Sequence, residues 1–487
     1  MTRSGEYSCS SLTAKADAHT SYVDESKVVR KLDISLIPIV TLFYFLSFLD
    51  RANIGNARVA GLQKDLKLTD DQYQICITAL YVPYIVSELP ANLLLRKIGP
   101  NILMPTILIF WGLVTALQGT ISSYGGLVTT RVLLGTLEGP MFPSIVLYLS
   151  EFYTRRELSL RISLFFSAAS LSGAFSGLLA AAIEKMDGIH GRPGWAWIFI
   201  LEGAFTALVG ISGYFLIPSS IENIKLLTKD EISLAKERII SDRPSMLGSE
   251  AFSFRQVISS ITSPHVIMMF CACFASGTTV YGLALFLPTI VSKLGFSSIH
   301  TQLLSVGPFA SGFVFTLFVS YFSDKYQNRT IPICLCAVIA AIGYIVFFVS
   351  NSVAMSYGSL FLSVSGAYAL APVTSAWIAN NSEPHYRRAT SIALAFMATN
   401  SGGILSTWSF PSSESPRFVR ATIIGITFSL LILCLSVLNA LYLTWRNHQK
   451  LTYKESIRRS DISSGDNETS RSWLLLGDKH SDFLYTI

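Results

Sequence analysis

Phe45-Leu46-Ser47-Phe48-Leu49-Asp50-Arg51-Ala52-Asn53-Ile54-Gly55-Asn56 closes an apolar run that begins at Ile34. An acid and an arginine stand side by side where the chain is still suited to hydrocarbon. On insertion scales a central Arg or Asp costs roughly 2.5–3.5 kcal/mol each, so such residues are rarely idle. A second apolar run holds Arg131 and Glu138, and the rest of the chain reads as a scaffold for these two charged spots.

Working outward, 51% of the 487 residues are apolar and only 14% are charged. A soluble domain carries about 25% charged residues, so the composition predicts an all-α membrane protein with many spans. At about 20 residues per span, twelve segments fit: 34–55, 72–95, 101–121, 126–149, 158–183, 196–217, 264–291, 302–322, 330–350, 357–379, 389–409 and 421–445. The expected organisation is a polar tail over 1–31, a six-helix bundle over 32–217, a charged linker over 218–263, a second six-helix bundle over 264–446, and a Ser-rich tail over 447–487 whose composition predicts disorder.

Charge orients the chain. With the N-terminus cytoplasmic, the inner loops carry fifteen basic residues and the outer loops eight, which favours both ends in the cytoplasm. The net charge of +6 is spread over these loops, so it speaks for orientation in a bilayer rather than for nucleic-acid binding. Six of the seven cysteines lie in apolar runs and none forms Cys-x-x-Cys, so no disulfide framework or metal site is expected. No phosphate-binding Gly-rich loop followed by Lys-Ser/Thr occurs. No cofactor is expected, and an enzyme is disfavoured because no nucleophile–base or metal-spacing set is present. Pro and Gly recur inside the spans, Gly139, Pro140, Pro288 and Pro372 among them, and such residues permit kinks and close helix approach.

At 1.5 Å of rise per residue, Asp50 lies about 24 Å from the inner side, Arg131 about 8 Å below the outer surface and Glu138 about 18 Å below it. If spans 1 and 4 face a common cavity, two guanidinium groups meet there with two carboxylates. Arg stays protonated and its planar fork fits a carboxylate, so Arg51 and Arg131 suit a small organic anion. A carboxylate held away from water takes up a proton more readily, which makes Glu138, with Asp50, the candidate proton carrier. The alternative is a structural ion-pair cluster joining the two spans. Tyr84, Tyr281, Trp377 and Asn400 are further candidates to line the cavity, with packing as the competing role. Glu88 reads as a gate or packing acid and Glu202 as structural.

Several of these stretches carry a resemblance: Asp50-Arg51 with Asn53, Gly55 and Asn56; Glu88 to Pro100 with Asn92, Arg96 and Lys97; Arg131 to Gly139; Tyr153 to Arg161 with Arg155 and Arg156; Gly194 to Gly203; Asn400 to Gly403; and Pro416-Arg417-Phe418. Over about residues 30–450 the chain resembles the major facilitator superfamily, and within it the fungal allantoate permease branch of the anion:cation symporters. The resemblance implies alternating access between two six-helix bundles, proton-coupled uptake of a carboxylate such as a vitamin, ureide, aromatic or sugar acid, and a multi-pass monomer in the plasma membrane. By motif it places anion binding and proton coupling on Arg51, Arg131 and Glu138, beside Asp50. Where the superfamily carries an inner-loop Asp this chain has Asn92. The inner charge lock is then expected from Glu88, Glu151 or Glu157 with Arg96, Arg155 or Arg161. The same arginines would serve an exporter of an anionic metabolite, and a non-transporting nutrient sensor is the third reading.

Overall fold

The computed structural model describes residues 24–242, 254–383, 385–459, 478, 480 and 483–487. The described residues are helical with short connections. In order they form α1 (Glu25–Val59), α2 (Leu62–Asp65), α3 (Asp70–Ile98), α4 (Pro100–Gln118), α5 (Tyr124–Glu138), α6 (Met141–Ser150), α7 (Arg155–Ile183) and α8 (Gly194–Leu216). Then follow α9 (Lys229–Asp242), α10 (Phe254–Ile261), α11 (Pro264–Lys293), α12 (Ser298–Tyr326), α13 (Thr330–Val349), α14 (Val353–Asn380), α15 (His385–Thr407) and α16 (Val419–Arg459). Nine helical segments among the described residues are long and apolar enough to cross a membrane, on α1, α4, α7, α8, α11, α12, α13, α14 and α16. The other three expected spans fall on α3, on α15, and on α5 followed by α6.

The break between α5 and α6 has a local cause. Pro140 has no N–H to return to the preceding turn. Gly139 lies so close to α3 that a Cβ there would sit 2.5 Å from the Tyr84 carbonyl oxygen. The interruption thus falls directly after Glu138.

Helices α4 and α8, α1 and α7, and α3 and α5 pack together in the first half; α13 with α14, α11 with α15, and α13 with α16 do so in the second. The halves meet along α7 against α12, α1 against α11, and α3 against α15. Small residues permit these approaches. A Cβ on Gly55 would lie 2.3 Å from the Leu285 carbonyl oxygen, and one on Gly173 would strike the Phe309 ring.

The connecting segment fastens to one end of the molecule, called here the linker face. Lys31 of α1 pairs with Glu231 of α9 at 2.7 Å. Arg238 of α9 reaches Glu25 at 2.6 Å and also pairs with Glu157 of α7. Lys31, with the Thr228 backbone N–H, holds the Glu231 carboxyl below the usual range.

Two sequence expectations are corrected at the chain ends. Helix α1 begins at Glu25, inside the stretch read as a tail, because the Asp24 side chain accepts from the Ser26 N–H and caps it. Residues 1–23 lie outside the described residues. At the other end α16 runs past 447 to Arg459, and residues 483–487 are docked rather than disordered. Asn447 brackets Tyr485, donating to its carbonyl at 2.9 Å and accepting from its N–H at 2.8 Å. Asn381 does the same for Thr486 at 2.9 and 2.8 Å. The Ile487 carbonyl accepts from the Arg329 N–H at 2.9 Å. Lys450 lies 4.0 Å from the Tyr485 ring centre. Polar composition predicts disorder only while backbone groups lack fixed partners, and here two asparagines supply them.

Candidate functional site

Ser47, Phe48 and Arg51 are spaced i, i+1 and i+4 on α1, so Ser47 and Arg51 share a face and Phe48 borders it. That face meets Glu138 at the end of α5. Arg51 Nε donates to Glu138 Oε1 at 2.5 Å, and the Ser47 hydroxyl donates to the same oxygen at 2.5 Å. Both charged side chains are almost fully enclosed, at 5% and 2% exposure. The Arg51 Nη1 donates to the Tyr281 hydroxyl of α11 at 2.7 Å, and that hydroxyl donates to Asn400 Oδ1 of α15 at 2.9 Å. One guanidinium therefore ties a carboxylate of the first half to a hydroxyl–amide pair of the second.

Aromatic rings wrap this charge. The guanidinium carbon lies 5.1 Å from the Phe48 ring centre, 4.7 Å from that of Tyr84 and 5.5 Å from that of Tyr281, within cation–π range. Tyr44, Phe142, Phe166 and Phe396 complete the wall of a cavity of about 20 Å³, enough for about one water. Phe142 and Phe396, with ring centres 3.8 Å apart, close it toward the linker face. The Gly55–Leu285 contact closes it toward the far face.

The structure departs from the sequence reading at Arg131. It was expected to share one chamber with Arg51, yet it does not line this cavity. Arg131 is 2% exposed, has no partner for Nε or Nη2, and sits among Asp50, Tyr73, Cys76 and Glu138. Helix geometry gives the reason. Neighbouring residues on a helix point about 100° apart, so Asp50 and Arg51 face different spaces. Asp50 turns toward α4, where Thr115 donates to its Oδ2 at 3.4 Å.

The other expected residues divide. Tyr84 and Tyr281 line the cavity. Asn400 reaches it only through Tyr281. Trp377 does not belong to it: its indole N–H donates to the Thr486 carbonyl at 2.9 Å, in the docked tail. Glu88 is buried one turn beyond Tyr84 on α3, with Oε2 unpartnered. Arg161 pairs not with Glu88, Glu151 or the Glu157 carboxylate but with Asp33 of α1, Nε to Oδ1 at 2.9 Å and Nη2 to Oδ2 at 2.8 Å. The Arg96 and Arg155 side chains lie outside the described residues. Ser47 and the Phe142–Phe396 pair were missed, although Ser47 is one helical turn from Arg51 and Phe142 is one turn past Glu138.

A charged, aromatic-walled and closed cavity between two sets of membrane-length helices defines the class: a solute carrier of the membrane. A family profile described as the Major Facilitator Superfamily matches residues 40–407, and the chain belongs to that superfamily, as a multi-pass transporter and not an enzyme. An uncharacterized transporter of Schizosaccharomyces pombe is 33% identical over 450 residues, covering 92% of this chain and 89% of the relative. The high-affinity nicotinic acid transporter of Saccharomyces cerevisiae is 29% identical over 434 residues, covering 88% of this chain and 80% of the relative. Among solved structures, a proton:xylose symporter superposes with a TM-score of 0.65 at 17% identity, covering 84% of this chain and 96% of that one; this likeness concerns the fold.

Proposed function

We propose that the protein takes up a small organic carboxylate together with protons, by alternating access of two six-helix halves, as a member of the anion:cation symporters. In this reading twelve spans place both ends in the cytoplasm, the linker face is the inner face, and the carrier works as a monomer in the plasma membrane. The observation that carries the reading is the double engagement of Arg51, to Glu138 on one side and Tyr281 on the other.

The chemistry follows from competition. A guanidinium is a permanent cation, and the buried site gives it one internal carboxylate. An incoming carboxylate displaces Glu138 only when Glu138 carries a proton, because two ionised carboxylates on one enclosed cation leave a buried negative charge. The proton therefore precedes or accompanies the anion. Once the substrate takes Nη1, the Tyr281–Asn400 link to the second half is released. Since the closed cavity holds about one water, the substrate-bound form must open by parting the aromatic wall. The aromatic lining, and a relative named for nicotinic acid transport, favour flat carboxylates within the class.

The test is uptake into proteoliposomes loaded with the purified carrier, over a panel of labelled carboxylates that includes nicotinate. Accumulation is expected to rise as the external side is acidified and to collapse in Arg51→Ala. Uptake of the active carboxylate that ignores an imposed pH gradient, or survives Arg51→Ala unchanged, refutes the reading.

A further inference from the structure

Apart from the central cavity, α1, α4, α5 and α8 enclose a second polar group inside the first half. Glu202 of α8 is 4% exposed. Its Oε2 accepts a short hydrogen bond from Asn53 Nδ2 of α1, while Oε1 has no partner. Thr206, one turn further on α8, and the Gln118 amide of α4 are buried beside these helices, also without partners. Asp50 uses one oxygen for Thr115 and leaves the other unpartnered.

The charges around these two acids do not balance. Asp50 lies three residues before Asn53 on the same face of α1, which sets it toward Glu202. Asp50 in turn faces Arg131 and Glu138, with Thr115 and the Trp111 indole beside it. Arg51 is already committed to Glu138. Arg131 thus stands beside Asp50, while Glu202 has no ion-pair partner among the described residues. A second ionised carboxylate enclosed without a cation costs several kcal/mol, and a proton on one of the two acids removes that cost. Asn53 suits either form, since its amide donates to one oxygen while its own free Oδ1 is unpartnered and able to accept.

We infer that the buried carboxyls of Asp50 and Glu202 form a second proton-binding site, one that keeps a single proton on the pair and is distinct from the Arg51–Glu138 site. Asp50 is the neighbour of Arg51 on α1 but does not line the central cavity. The inference extends the proton-coupled reading and gives the carrier two proton-holding positions.

The experiment reads protons directly and needs no substrate. Infrared spectra of the purified full-length protein in liposomes are compared in H2O and D2O, where a protonated carboxyl shifts its band on deuteration. Glu202→Gln is isosteric with the protonated acid, and Asp50→Asn gives an independent variant of the same pair. Both are expected to lose one protonated-carboxyl band that Glu138→Gln retains. A spectrum unchanged from wild type in both variants overturns the inference. Failure of the coupling reading shows separately, as carboxylate uptake that ignores the pH gradient while the Glu202-dependent band is present.

Discussion

Replacing Glu138 with Gln removes the internal competitor for Arg51 and keeps nearly the same shape. In the wild type the pair is separated by 2.5 Å and both members are enclosed. Removing one partner of such a pair leaves an uncompensated buried charge, at a cost of about 3–5 kcal/mol. An anion that reaches the cavity neutralises the unpaired buried guanidinium and recovers part of that cost. Each 1.4 kcal/mol recovered is a tenfold gain in affinity, so the variant is expected to bind its carboxylate at least about tenfold more tightly than wild type at pH 8. An anion that takes the place of Glu138 on Arg51 brings a proton with it in the proposed cycle, so wild-type affinity is expected to depend on pH, and Glu138→Gln, which has no carboxylate to displace, is expected to lose that dependence. Calorimetric titration of the purified proteins, with the carboxylate that passes the uptake panel, at pH 5 and pH 8 checks both statements. Counterflow is retained and uphill accumulation is lost. A Glu138→Gln protein that keeps the wild-type pH dependence, or binds more weakly at both pH values, refutes the competition argument.

Four further outcomes are expected. Tyr281→Phe keeps the ring but removes a hydrogen bond to a charged group, worth about 1.5–3 kcal/mol; the thermal midpoint of the empty carrier falls and Asn400 is freed, measurable by differential scanning fluorimetry. Gly55→Val forces side-chain atoms into the Leu285 backbone, so closure toward the far face is blocked and a cysteine introduced near Val59 labels faster with an impermeant reagent. Arg161→Ala breaks the two-pronged contact with Asp33 and lowers stability by about 1.5 kcal/mol, the low end for charged hydrogen bonds because Asp33 is partly exposed. Glu231 is held low by Lys31 and the Thr228 N–H, so its contribution is present above its unfolded value and is lost as pH falls through the folded one. A spin-label distance between α9 and α1 should then lengthen on acidification to below the usual carboxylate range, and Glu231→Gln should show the longer distance at every pH.

The charged residues of the spans were legible because hydrocarbon makes them costly: Asp50, Arg51, Arg131 and Glu138 all stand out against an apolar run, and all four are buried. Which of them meet was not legible. Depth along a helix follows from counting residues, but the rotation of one helix against the next depends on packing between chain segments far apart. Arg51 and Arg131 were therefore assigned one chamber, although α1 turns Asp50, not Arg51, toward Arg131. The same limit explains Arg161, whose partner Asp33 lies 128 positions away. Tyr84 and Tyr281 were expected in the cavity, but the rest of its aromatic wall, Tyr44, Phe48, Phe142, Phe166 and Phe396, escaped notice for a different reason. With 31 Phe and 20 Tyr in the chain, composition does not single out the rings that surround a charge. Trp377 was chosen by position in its span, and the backbone of Thr486 claimed its indole instead.

The docked end of the chain bears on how this carrier is handled at the bench. Asn381, Asn447, Trp377 and Lys450 all spend hydrogen bonds on residues 483–486, and the Ile487 carbonyl rests on the Arg329 amide. A fluorescent reporter or affinity handle fused after Ile487 would start from an anchored residue wedged against α13, with no slack in front of it. Fusions at the opposite terminus avoid that seat, and a long flexible spacer is the minimum for any made here.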